Sequence, residues 1–125
     1  MVTKEGIVLI YSTSECWYES FLYGIEEEGV AIHCIEAAGE EAVEKYDALT
    51  MATLAAGYSV FEIGVGVDKD SVVIRHRLQK ETEPLLEVNR KAGNEIIRLQ
   101  GSNTARLVKK TPLFLNDEQL WKQEL

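Results

Sequence analysis

Val60-Phe61-Glu62-Ile63-Gly64-Val65-Gly66-Val67-Asp68-Lys69-Asp70-Ser71-Val72-Val73-Ile74-Arg75-His76-Arg77 is the stretch on which the fold turns. It holds two runs rich in β-branched residues, Val60–Val67 and Val72–Arg77. Such runs read as strands, because branched side chains fit a pleated surface. Only Asp68-Lys69-Asp70-Ser71 separates them. Four residues are too few for a crossover helix, so the two strands must pair antiparallel. Gly64 and Gly66 leave one face of the first strand bare, which predicts close approach by another backbone. Asp68 enters the turn, and a turn role suits its short carboxylate.

Upstream, the pattern changes to alternation of strand and helix. Gly6–Tyr11 is a continuous apolar run and reads as a strand buried on both faces. Ser12, Thr13 and Ser14 offer an N-cap for a helix from about Glu15 to Glu28. In that helix Trp17, Phe21 and Ile25 form one apolar stripe, with Tyr18 and Leu22 beside it, and Gly29 suits the stop. Val30–Ile35 predicts a second strand. Gly39 to about Ala56 predicts a second helix, with Glu40 and Glu41 in its first turn, alanines for close packing and Gly57 as cap.

Downstream, Pro84 introduces a strand at Leu85–Val88. Two helical pieces are expected next, Ala92–Gln100 ended by Gly101 and Asn103–Lys110 stopped by Pro112. Asn116–Glu124 is expected to add a short helix in a tail over residues 116–125. Strand, helix, strand, helix at the start demands parallel pairing with right-handed crossovers. The hairpin then inserts one antiparallel strand. The expectation is an α/β fold: a mixed, mostly parallel sheet of about five strands with helices on its faces, in one domain spanning residues 1–125.

Composition narrows the function classes. The chain has 125 residues, 46% of them apolar, enough for one packed core. No apolar run is long enough to span a bilayer. The first residues run straight into a strand without a signal-peptide pattern, so a cytoplasmic location is expected. Two cysteines, Cys16 and Cys34, are too few for a disulfide scaffold or a zinc site. A net charge of −8 with no basic block argues against nucleic acid as partner. The first half is acidic while basic residues gather between Arg75 and Lys110, an asymmetry that suits an oriented protein partner.

Enzyme chemistry finds little support. Ser12-Thr13-Ser14-Glu15 lacks the glycines and lysine of a phosphate loop. His33 and Cys34 are consecutive in a strand, so they point to opposite faces and make no nucleophilic pair. His76 lies between Arg75 and Arg77 and reads as a surface histidine.

Glu26-Glu27-Glu28 is the anomaly. Three carboxylates occupy the last turn of the first helix, where the macrodipole is already negative. At 100° per residue from the apolar stripe, Glu28 falls near the edge of the buried face, Glu26 on the flank, and Glu27 almost directly outward. A solvated acidic helix end is one reading. The other is that a cation offsets the misfit, either from a partner or as a hard ion such as Mg²⁺ or Ca²⁺. Further on, Gly101 to Lys109 reads as a helix stop and a capped restart at Ser102 or Asn103. Its Arg106 complements the dipole or reaches a partner carboxylate.

Gly24-Ile25-Glu26-Glu27-Glu28-Gly29, the Ile63–His76 strand pair with Asp68 at its turn, and Gly101, Asn103, Ala105–Lys109 and Pro112 occur in fixed order. In that order they resemble the small subunit of the diol and glycerol dehydratase reactivating factors. Ser102 and Thr104 depart from that family's motif, and Asn116–Leu125 has no clear counterpart in it. The resemblance spans about Gly6 to Phe114. It implies a three-layer α/β/α domain, similar to the dehydratase's own β subunit and to anticodon-binding domains. It also implies a non-catalytic role beside a large ATPase subunit that carries the ATP. The assembled factor exchanges damaged cobalamin out of the inactivated dehydratase, and the small subunit acts by subunit swapping. In such factors the middle glutamate of the triplet reaches a divalent metal held mainly by the large subunit; here that is Glu27. Glu26, Glu28, Asn103 and Arg106 become candidate partner contacts. The rival readings are an RNA-binding module like an anticodon-binding domain and a small standalone enzyme. Client substrate and enclosure in a bacterial microcompartment are open at this stage.

Overall fold

The hairpin forms in the computed structural model, which describes residues 6–13, 15–37, 46–78, 84–110 and 113. Strand β3 (Ile63–Val67) pairs antiparallel with β4 (Ser71–His76), with Val67 opposite Val72. Strand β1 (Ile7–Tyr11) runs parallel to both β2 (Ile32–Glu36) and β3. Strand β5 (Leu86–Asn89) pairs antiparallel with β4. The sheet order is β2-β1-β3-β4-β5, and only β4 runs against the rest. This is the mixed, mostly parallel five-stranded sheet that the hairpin and the early alternation required.

Helices cover both faces, as strand alternation dictates. Ile7 and Leu9 of β1, with Val65, Val67, Val72 and Ile74, look toward helix α1 (Glu19–Glu27) and helix α3 (Asn94–Lys109). Val8 and Ile10 look the other way, onto Met51 and Ala55 of helix α2 (Ala48–Tyr58). The result is three layers, α/β/α, with the larger core under α1 and α3. Helix α2 lies almost on the backbone of β3. A Cβ at Gly64 would sit 2.0 Å from Ala56 N, and one at Gly66 1.9 Å from Ala48 O. The bare face predicted from these glycines is the seat of α2.

Several expectations need correction. Helix α1 begins at Glu19, not near Glu15, and its cap residue Tyr18 makes no capping hydrogen bond. Thr13 Oγ1 instead accepts from Glu15 N, a local turn that ends before the helix. Trp17 then donates from Nε1 to Asp68 O across the sheet end, at 2.9 Å. Gly57 lies inside α2, which stops at Ser59. Val60, Phe61 and Glu62 are not strand but a turn, with Glu62 N donating to Ser59 O.

Gly101 is not a stop either, because α3 runs through it unbroken. The reason is packing. A Cβ at Gly101 would meet Phe21 O at 2.0 Å, and a Cβ at Gly24 would meet Arg98 O at 2.1 Å. The two glycines let α1 and α3 touch backbone to backbone, and Ser102 Oγ donates across the contact to Gly24 O. The expected first turn with Glu40 and Glu41, Pro112, and the tail over 116–125 lie outside the described residues.

Candidate functional site

The three acids of α1 end up in three different environments, and α3 makes the difference. Glu28 lies at the close contact between the helices, its side chain only 13% exposed. Its Oε2 accepts from Arg106 Nε at 2.9 Å and its Oε1 pairs with Lys109 Nζ at 3.1 Å. Lys109 Nζ also donates to the Glu28 backbone carbonyl at 3.0 Å, placing a cation at the negative end of α1. The Lys109 hydrogen bond is the largest influence on the Glu28 carboxyl, desolvation opposes it, and the Arg106 hydrogen bond adds to it, so the group is held below the usual carboxylate range.

Glu27 points outward, as the helical wheel required, and its side chain is 48% exposed. It meets Arg98 of α3, whose own side chain is more exposed still. Glu26 is exposed. Part of the cation expected from outside is thus supplied by this chain. Arg106 and Lys109 satisfy Glu28, while Arg98 reaches Glu27 in water, where such a pair binds weakly.

The remaining candidates divide the same way. Asn103 is fully buried in α3, where its Nδ2 donates to Gln100 Oε1 at 3.3 Å. Arg106 is turned to Glu28 of its own chain. Neither Arg98 nor Lys109 stands out in the sequence reading as a partner for the triplet. The available signal is their spacing on α3: positions 98, 102, 106 and 109 recur every three or four residues and face the α1 contact.

Other chemistry-bearing residues serve the fold. Asp68 Oδ1 accepts from Asp70 N and Ser71 N at 2.8 Å each, and its Oδ2 accepts from Ala48 N at 3.0 Å. It closes the hairpin and receives the start of α2. His76 Nε2 lies 3.4 Å from Glu62 Oε2. Cys16 and Cys34 are exposed and unbridged. Among the described residues, no group of three or more His, Cys, Asp or Glu side chains is placed to hold a metal ion. Glu27 offers one exposed carboxylate, paired with Arg98, and belongs to no such group. No helix among the described residues is long and apolar enough to cross a membrane.

Fold and site together define a class: a three-layer α/β/α domain with a mixed sheet, carrying an acidic helix end sealed on one side by its own basic helix and open on the other. Within that class the chain belongs to the dehydratase medium subunit family, whose model matches residues 6–114. It is similar to the propanediol dehydratase-reactivating factor small subunit of Citrobacter freundii, 29% identical over 84% of this chain and 87% of that one. It is equally similar to the diol dehydratase-reactivating factor small subunit of Klebsiella michiganensis, 29% identical over 95% and 90%. Among solved structures, a glycerol dehydratase reactivase superposes with a TM-score of 0.78 at 25% identity, covering 90% of this chain and 98% of that chain. A diol dehydratase-reactivating factor complexed with ADP and Mg²⁺ superposes with a TM-score of 0.77 at 22% identity, which speaks for the fold.

Proposed function

We propose that this chain is the non-catalytic small subunit of an ATP-dependent reactivase. The assembled factor exchanges damaged cobalamin out of a coenzyme B12-dependent diol or glycerol dehydratase. The chain binds a large ATPase subunit and takes part by swapping with a dehydratase subunit. Relatives named as small subunits, over nearly the whole length of both chains, support a larger partner. ATP belongs to that partner, since this chain has no phosphate loop. The work is cytoplasmic, with or without enclosure in a microcompartment.

One observation carries the reading: of three adjacent glutamates, the chain neutralises Glu28 within itself and leaves Glu27 half in solvent. Glu27 is the residue of this chain that would hold a divalent cation, Mg²⁺ or Ca²⁺, at the boundary with the large subunit. When bound, that cation supplies positive charge between the subunits. Glu26 flanks the same edge.

The test is co-purification of this chain with the reactivase large subunit in Mg²⁺. Glu27→Gln should weaken the complex at least about tenfold, by removing one partner of an interfacial charge pair. Undiminished affinity and unchanged metal content would sink the assignment of Glu27. A wild-type chain that fails to bind any reactivase large subunit would sink the function.

A further inference from the structure

The fold brings the two cysteines of the chain to one place. Cys34 lies in β2, an edge strand of the sheet, in register with Leu9 of β1. Residues in register on neighbouring strands share a face, so Cys34 stands on the α1 side of the sheet, beside the core that Leu9 enters. Tyr18 covers that part of the sheet. It is buried in the same core, and its ring lies 6.4 Å from that of Tyr11, two positions along β1 from Leu9. Cys16, two residues before Tyr18, hydrogen-bonds with the Tyr18 hydroxyl. Desolvation, followed by the nearby Cys16 and Cys34 side chains, raises the Tyr18 phenol; desolvation, followed by Cys16, raises the Cys34 thiol. Cys16, Tyr18 and Cys34 therefore form one cluster.

The loop that carries Cys16 is held on both sides of it. Arg90 Nη2 pairs with Glu15 Oε2 at 2.6 Å, and Trp17 Nε1 donates to Asp68 O at 2.9 Å. The Arg90 guanidinium also lies 5.9 Å from the centre of the Trp17 ring. Asp68 follows β3 and Arg90 follows β5, so both anchors draw toward the far side of the sheet while Cys16 stays with β2. Cys16 and Cys34 are free thiols, and both are exposed, so a solute reaches either sulfur. Helix α1 meanwhile starts unaided, because its cap residue Tyr18 makes no side-chain capping hydrogen bond. Its other end is fastened to α3 by Glu28.

We propose that Cys16 and Cys34 are a modification site, at which a reversible disulfide forms by exchange with a low-molecular-weight disulfide such as oxidised glutathione. Cys16, as thiolate, attacks one sulfur of the reagent. The reagent's S–S bond breaks, and one glutathione leaves and takes up the proton that Cys16 gave to solvent. Cys34 then gives up its proton and attacks the Cys16 sulfur of the mixed disulfide. The Cys16–Cys34 bond forms, and the second glutathione leaves as its thiol. Two protein thiols are oxidised, and one glutathione disulfide is reduced to two thiols. Cys34 acts second, because a thiol held protonated is the poorer first nucleophile. The bond closes a segment that contains the whole of α1, and so ties the uncapped start of the helix to the sheet edge. Such a link forms and breaks with the thiol–disulfide balance of its surroundings. Partner binding plays no part in it.

The test incubates the full chain with oxidised glutathione, blocks remaining thiols with an alkylating agent, and reads intact mass, peptide map and melting temperature. Expected is a monomer lighter by two hydrogens, with the Cys16 and Cys34 peptides joined. Its melting temperature should rise by about 10 °C, the scale for closing a loop of this length. Dithiothreitol should reverse all three changes. Cys16→Ser and Cys34→Ser should each form no internal bond and gain no stability. In denaturing urea, which disperses the cluster, closure should slow at least about tenfold. Closure as fast in urea as in the native protein would overturn the proposal, since the fold would then not be what brings the sulfurs together. A wild-type chain that retains bound glutathione without closing would overturn it too. So would a disulfide-linked dimer in place of the internal bond, or an internal bond that lowers the melting temperature.

Discussion

Glu27 and Glu28 are neighbours in the chain and opposites in behaviour, because 100° of helix rotation separates an outward position from the contact with α3. Glu28 carries two cations within reach and Glu27 one, in solvent. Glu28→Gln should lower the melting temperature, and the loss should shrink as salt is added, since charge pairing supplies part of it. Its pH dependence has a definite sign. The folded-state carboxyl titrates below its unfolded value, so its stabilisation is present above the ordinary carboxylate range and is lost as the pH falls through the lowered folded value. Wild type should therefore lose stability relative to Glu28→Gln on acidification, and thermal melts from neutral pH down to strongly acidic pH will show whether the two curves converge. Glu27→Gln should change stability by less than about 1 kcal/mol, as exposed pairs do. A larger effect would mean that Glu27 is structural.

At the scale of elements, glycine decides which helices can meet. Gly24 and Gly101 bring α1 and α3 into backbone contact, and this contact delivers Arg98, Arg106 and Lys109 to the acidic triplet. Gly101→Ala should cost about 3 kcal/mol in denaturant unfolding, since overpacking against a backbone carbonyl cannot relax by rotamer change. Gly57→Ala is the opposite case. Gly57 lies inside α2, and a Cβ there meets nothing within 4 Å. That substitution should stabilise by about 0.5–1 kcal/mol, the helix preference of alanine over glycine. Equal destabilisation by both would show that backbone contact is not what Gly101 provides. Asp68 joins the hairpin to α2, so Asp68→Ala should cost about 1–3 kcal/mol through the amides it leaves unsatisfied. An unfolding free energy equal to wild type would remove that role.

At the scale of the whole molecule, the proposed role asks no chemistry of this chain, and its described residues hold no group of three or more metal-ligating side chains. The isolated protein should hydrolyse no ATP, and ATPase activity should follow only the large subunit across purification fractions. With a net charge of −8, it should bind RNA weakly at most; tight, salt-sensitive binding would revive the anticodon-binding reading.

Local patterns were sufficient for much of this. The four residues between two β-branched runs dictate the antiparallel pair, the early alternation dictates parallel crossovers, and the helical part of the stripe, Phe21 and Ile25, orients Glu27 away from the core. These follow because strand pairing and helix periodicity are fixed by a few adjacent residues. Other features answer to residues far apart in the chain. Gly101 reads as a helix stop until Phe21 of α1 lies against it, and then it is a point of contact. Val60–Glu62 reads as strand until Ser59 is tied to Gly6. Glu28 reads as a candidate for an outside partner until Arg106 and Lys109, some eighty residues later, close over it. A glycine, a turn and a carboxylate each have several local solutions of similar free energy, and only the packing of distant elements selects among them.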